Sequence, residues 1–368
     1  MKVENEIPWW SVVSTGLEVE GLAKVINSGY YNEGQVTFDF EVNLSKNFDN
    51  AAVITSTSGT SALFLALRAV GVGVGDLVAI PNLTFIATAT AVTLTGAKVV
   101  LMDVDPIRMT SSEGEIQRVE KLGIKAIIPV HVSGRSAWNA ELRRIRDEGR
   151  IYIIEDAAEA MGCRDPETGK YLGTIGNAGI FSFSPNKIIT TGQGGAVITN
   201  DEGIEVAVRR LKDQGRPVRG TGGADLHDFE GYNFKFTNIQ SAVGIAQLSS
   251  LDSRRIFLSN LFTSYRASIV DCVHQRLLPF DVQKGEFPLW PEMSFKNKAA
   301  VKRKFLDLKI GFRDIWLPIS TQKPYFSKDP FMNSKQMSNT TLWLPSSFNL
   351  TGEEINLITQ TLICEECK

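Results

Sequence analysis

The 368-residue chain sets 39 Lys and Arg against 41 Asp and Glu, a net charge of −2, which excludes a polybasic nucleic-acid surface as its organising feature. A composition of 43% hydrophobic and 22% charged residues excludes a disordered chain. At about 100–200 residues per domain, the length allows two or three domains with cores that need no disulfide or metal staple.

No apolar stretch approaches the roughly 18 residues of a membrane helix. The start, Met1-Lys2-Val3-Glu4-Asn5-Glu6, lacks the apolar segment of a signal peptide. A cytoplasmic protein with no membrane and no nucleic-acid partner is expected. Cys163 and Cys272 stand apart, and Cys364 and Cys367 form a C-x-x-C. With no second pair or nearby His, the motif does not read as a zinc site. It also follows an expected helix instead of opening one, unlike a redox motif. No metal is expected.

From Ala51 to Thr199 short β-branched runs alternate with helical stretches. Strands are predicted at Ala51–Thr55, Leu77–Pro81, Lys98–Asp103, Ala126–Val130, Ile151–Glu155 and Ala196–Thr199. Helices are predicted at Ser61–Val70, Phe85–Leu94 and Asn139–Glu148. Strands apolar on both faces between helices indicate an α/β architecture with a parallel or mixed sheet covered on both sides. Ligands of such sheets collect at the carboxyl ends of the strands.

Beyond Glu202 the character changes. Arg216–Gly223 is a glycine-rich basic loop, and Ile239, Ala242, Val243 and Ala246 have the spacing of a helix face. Further helices are expected at Asp252–Val270, Lys296–Leu308 and Glu353–Ile363. The division predicted is a large domain over 1–250 and a smaller α+β domain over 251–368.

Three segments could carry chemistry. Ser56-Thr57-Ser58-Gly59-Thr60-Ser61 leaves a strand and opens a helix, which suits a phosphate but equally a plain cap by Ser58 or Thr60. Asp156 ends a buried strand, where it could meet a cation or cap a helix. Lys187, in Ser182-Phe183-Ser184-Pro185-Asn186-Lys187, lies in a turn of small residues before Thr190-Thr191-Gly192-Gln193-Gly194-Gly195. It reads as a surface lysine or, if desolvated, as an imine-forming amine. Together, an acid, a lysine 31 positions later and an upstream phosphate cradle are the fixtures of a pyridoxal phosphate site.

The ordered motifs resemble the DegT/DnrJ/EryC1/StrS family of sugar aminotransferases, within the fold-type I pyridoxal phosphate enzymes. The resemblance runs from Ser28-Gly29-Tyr30-Tyr31-Asn32-Glu33-Gly34 through the Ser58-Gly59-Thr60-Ser61 turn, Pro81-Asn82-Leu83-Thr84-Phe85 and Pro129-Val130-His131-Val132-Ser133-Gly134. It continues in Glu155-Asp156-Ala157-Ala158-Glu159-Ala160, the lysine segment, Gly231-Tyr232-Asn233-Phe234-Lys235 and Leu344-Pro345-Ser346-Ser347.

The resemblance implies a mostly parallel seven-stranded sheet in the large domain. It makes Lys187 the Schiff-base lysine and Asp156 the partner of the pyridine nitrogen. Gly59, Thr60 and Ser182 become phosphate contacts, Phe85 the stacked ring, and Glu159 a neighbour of the phenolic oxygen that must be protonated or paired. Asn233 would reach the neighbouring subunit's phosphate, implying a homodimer with shared sites. Tyr31, Asn32 and Tyr325 would face the substrate. Lys235, Gln214 and Ser320 depart from the family's usual Arg, His and His, and His131 reads as either structural or ligand-binding.

The implied reaction moves an amino group, with glutamate as donor, to a nucleotide-linked keto-sugar such as a 4-keto-6-deoxyhexose, for cell-surface polysaccharide or glycoconjugate synthesis, O-antigen included. A sugar dehydratase of the same family, which replaces the lysine by His, and a cofactor-binding regulator are the alternatives.

Overall fold

The structure, a computed structural model, describes residues 6–217 and 227–363. Cys364, Cys367 and all but the first two residues of the Arg216–Gly223 loop lie outside the described residues.

Seven strands form the large sheet: β1 (Ala52–Ser56), β2 (Leu77–Pro81), β3 (Lys98–Met102), β4 (Ala126–Ile127), β5 (Tyr152–Asp156), β6 (Ala178–Ser182) and β7 (Gly195–Thr199). Their order is β1-β7-β6-β5-β4-β2-β3. Only β7 runs antiparallel to its neighbours; the contacts from β3 through β6 are all parallel. The mostly parallel seven-stranded sheet is therefore as expected.

Alternation along the strands feeds two cores. Ala79, Ile127 and Ile153 enter one apolar cluster, while Val78, Ile80, Ala126 and Ile154 enter another on the opposite face. Both faces are covered, so the strands are apolar throughout.

A second sheet, all antiparallel, has the order β10-β11-β9-β8. It comprises β8 (Gln275–Leu277), β9 (Glu292–Phe295), β10 (Arg313–Asp314) and β11 (Thr341–Trp343). The N-terminal arm crosses to it. Ile7 donates its N–H to Lys309 O at 3.0 Å and accepts from Gly311 N–H at 2.7 Å, and Trp9 packs on Trp290 and Trp343.

Several boundaries differ from those predicted. The strand expected over Ala126–Val130 stops at Ile127, because Pro129 has no N–H to continue the ladder. Asp156 caps no helix, since a turn follows β5. Helices α1 (Glu18–Ser28) and α2 (Gln35–Asn47) were not anticipated; α3 (Gly59–Ala69) and α4 (Ile86–Leu94) were, give or take two residues. The long helix expected over Asp252–Val270 spans Leu251–Ser268.

One buried ionic cluster ties α2 to β1. Lys212 Nζ lies 2.6 Å from Glu33 and 3.4 Å from Glu41, and donates to Thr55 O at 3.0 Å. Glu41 also accepts from the Thr55 N–H and from Arg209. Lys212→Met removes the ammonium that both buried carboxylates face. A loss of about 3–5 kcal/mol is expected, read as a lower urea midpoint at unchanged slope.

Candidate active site

The site is built where β1, β5 and β6 end and α3 begins. Ser58 and Ser61 cap α3 reciprocally: Ser58 Oγ accepts from Ser61 N–H at 3.1 Å, and Ser61 Oγ from Ser58 N–H at 2.9 Å. The intervening Gly59 and Thr60 N–H groups are among the first-turn donors that a helix leaves without internal partners. They border a cavity of about 360 Å³.

Close approach here depends on missing side chains. A Cβ on Gly59 would lie 3.0 Å from Ser182 Cβ, and one on Gly195 would lie 2.5 Å from Gly59 N. The start of α3 is thus pressed onto β6 and β7, with small hydroxyls around it.

Asp156, the last residue of β5, is buried at the cavity's base. Its carboxylate accepts from Thr88 Oγ1 at 2.9 Å and from the Ala158 N–H at 3.2 Å. Burial pushes its pKa up, against the pull of those hydrogen bonds. The adjacent Glu155 points the other way. Despite burial it is held below the ordinary carboxylate range by hydrogen bonds from His131, Gly176 and Trp138. His131 accepts the Ala137 N–H on Nδ1, so Nε2 carries the proton toward Glu155. His131 is fully buried and does not line the cavity.

Lys187 Nζ lies 3.2 Å from Glu159 Oε1 and 5.0 Å above the Trp290 ring. Glu159 Oε2 accepts from the Ser133 N–H at 2.9 Å, and Ser133 holds a left-handed φ of 51° to present it. Burial raises the Glu159 pKa, opposed mainly by Lys187. Glu159 thus faces two donors, Lys187 and the Ser133 N–H.

Gly59, Thr60, Phe85, Asp156, Glu159, Ser182 and Lys187 all line this one cavity. Asn233, Tyr31, Asn32 and Tyr325 do not. Asn233, Tyr31 and Asn32 are exposed, and the Tyr325 hydroxyl is 2.8 Å from Thr93 Oγ1. Of the departures, Lys235 pairs with Asp213 at 2.5 Å, and Ser320 donates its N–H to Asn82 at 2.7 Å. Sequence reasoning missed Thr88, Ser133 and a wall made of Trp290, Trp316, Trp343 and Arg313. The only signal for that wall was a clustering of tryptophans late in the chain.

A carboxyl whose pKa rises on folding favours the fold at low pH and costs stability as pH climbs through the raised value. Asp156→Asn should therefore raise the melting temperature of the ligand-free protein at pH 7, by roughly 2–4 °C for each kcal/mol relieved. At pH 4 the difference should shrink. Calorimetry at the two pH values checks this.

Residues 14–363 match the DegT/DnrJ/EryC1/StrS aminotransferase family. The chain is similar to a GDP-perosamine synthase of Escherichia coli O157:H7, at 31% identity over 97% of both chains. Its fold is similar to that of a DegT/DnrJ/EryC1/StrS aminotransferase from Brucella abortus, with a TM-score of 0.86 at 26% identity over 94% of each chain. A Streptococcus pneumoniae structure solved in a pyridoxal phosphate form shares the fold at a TM-score of 0.89 and 21% identity, over 97% of this chain and 98% of that one. No helix among the described residues is long and apolar enough to cross a membrane. The chain belongs to the DegT/DnrJ/EryC1/StrS family and is a pyridoxal phosphate-dependent aminotransferase.

Proposed function

We propose that the protein transfers an amino group from glutamate to a nucleotide-linked keto-sugar, for cell-surface polysaccharide or glycoconjugate synthesis. The observation that carries this is the position of the Lys187 amine, nearly buried, between Glu159 and an aromatic wall in a cavity with Asp156 at its base. The E. coli relative, a GDP-perosamine synthase, supports a nucleotide sugar as acceptor. A 4-keto-6-deoxyhexose is the acceptor we favour.

The residues fit pyridoxal phosphate. The N–H groups of Gly59 and Thr60, with Ser182 opposite, suit its phosphate. The 3.0 Å that a Gly59 Cβ would leave to Ser182 means that a side chain there would intrude on that cradle. The Phe85 ring, about half exposed on the cavity wall, suits stacking on the pyridine. When bound, the cofactor supplies an aldehyde for amine exchange and a ring that accepts electrons as the donor's α-proton leaves.

Asp156, oriented by Thr88 and the Ala158 N–H, would face the pyridine nitrogen and favour its protonated form. A cation held there would offset the burial that raises the Asp156 pKa. Lys187 Nζ would hold the cofactor and, once freed by the donor amine, would be placed to carry the migrating proton. Glu159, which accepts from the Ser133 N–H at 2.9 Å, would hold a proton toward the cofactor's phenolic oxygen. The indole wall keeps water from this face of the site.

We further propose a homodimer in which Asn233 reaches the partner's phosphate, which accords with its exposure outside its own chain's cavity. Tyr31, Asn32 and Tyr325 are assigned to the acceptor.

Borohydride reduction of the holoenzyme and peptide mapping should find the phosphopyridoxyl group on Lys187; a label elsewhere refutes the assignment. Incubation with glutamate should convert the bound cofactor to its amine form, and a panel of nucleotide keto-sugars should reverse it. Absence of the first step would favour a regulator over an enzyme.

Asn233→Ala should weaken cofactor binding about tenfold to a hundredfold, the value of one hydrogen bond to a charged acceptor. Mixing Lys187→Ala with Asn233→Ala subunits should restore activity, because one site of each hybrid then carries neither lesion. No recovery after confirmed subunit exchange would put Asn233 in its own chain's site.

A further inference from the structure

Two cations line the cavity. Lys187 sits at its base and Arg313 at its rim. Arg313 is solvent-exposed and has no acid within ion-pair distance among the described residues. The carboxylate next to it in sequence, Asp314, lies across the strand and is occupied by Lys298 at 3.0 Å and Lys302 at 2.6 Å.

The Arg313 position is nonetheless defined. Its Cα is in register with Trp343 across β10 and β11. Its guanidinium lies 5.3 Å from the Trp9 ring centroid and 5.6 Å from that of Trp343. A guanidinium held over indole faces keeps its edge N–H groups available for a planar or tetrahedral oxyanion. The cavity's own acids, Asp156 and Glu159, are buried, whereas Arg313 is exposed and has neither of them as an ion-pair partner.

We propose that Arg313 binds the diphosphate of the nucleotide-linked acceptor, with the indoles of Trp290, Trp316 and Trp343 as the wall along which the sugar lies. This rests on reading the chain as a nucleotide-sugar aminotransferase. The amino donor's α-carboxylate is the competing anion, and position argues against it. That carboxylate sits on the carbon bearing the exchanged amine, so it must stay beside Lys187. Lys187 lies over Trp290 and Arg313 over Trp343, two different indoles whose ring centroids are 4.9 Å apart. A diphosphate is carried on the far side of a sugar ring from the reacting carbon, which suits an anion site set on a different indole from the amine.

The test titrates the holoenzyme with GDP, UDP and dTDP, following tryptophan fluorescence, and measures separately the glutamate concentration that half-converts the cofactor by its absorbance. In Arg313→Met, the dissociation constant of the nucleotide diphosphate that binds wild type best should rise about tenfold to a hundredfold. Arg313→Lys should lose part of this, since it keeps the charge without the fork. The glutamate half-conversion should move less than twofold. Unchanged nucleotide binding in Arg313→Met, or no nucleotide binding by wild type, overturns the proposal. So does a rise in the glutamate requirement alone, which would assign Arg313 to the donor carboxylate. If no keto-sugar turns over while Arg313→Met still weakens nucleotide binding, the acceptor assignment fails and the Arg313 site stands.

Discussion

A carboxylate withheld from water at the end of β5 is the constraint around which the site is arranged. Ionised Asp156 is costly in that position without a cation. Two fixed donors, Thr88 Oγ1 and the Ala158 N–H, orient it without neutralising it. The fold therefore presents an unfilled electrostatic demand at the base of a cavity. The pinched entry of α3, where glycines let backbone meet backbone, sets the anion-binding end at a fixed place relative to that demand. One end favours a cation, the other an anion, and the lysine stands between.

The neighbouring acids illustrate how burial is handled when no ligand is required. Glu155, one residue earlier, gathers donors from His131, Trp138, Gly173, Ile175 and Gly176. It is a fully satisfied anion that fastens loops behind the sheet. Strand alternation sends successive side chains to opposite faces, so a single step along β5 separates an acid satisfied by the fold from one that lines the cavity.

Most of the large domain was legible because its strands are continuous β-branched runs bounded by small residues. Of the candidate site residues, Gly59-Thr60 and Asp156 were legible because they follow such runs, and Lys187 from its turn of small residues, since β6 before it is not such a run and was not predicted. The small sheet was not: three of its strands are two or three residues long, and their pairing joins segments far apart in sequence. The part played by its tryptophans emerges only when strand register sets Arg313 against Trp343 and the fold brings Lys187 over Trp290. Helix α2 escaped notice for a different reason. Its sequence, Gln35–Asn47, is only weakly amphipathic, and its place depends on Glu41 reaching the buried Lys212 and Thr55.

The docking of Ile7 between Lys309 and Gly311 bears on how the chain acquires its structure. These partners are separated by roughly three hundred positions, and contacts of that separation form slowly because a long loop must close first. The arm is synthesised well before the groove that binds it. The doubly wound sheet can assemble while the arm still waits, and the packing of Trp9 on Trp290 and Trp343 forms only once those later segments have been made. That support for the aromatic wall beside Lys187 therefore arrives after every strand of the large sheet has been synthesised.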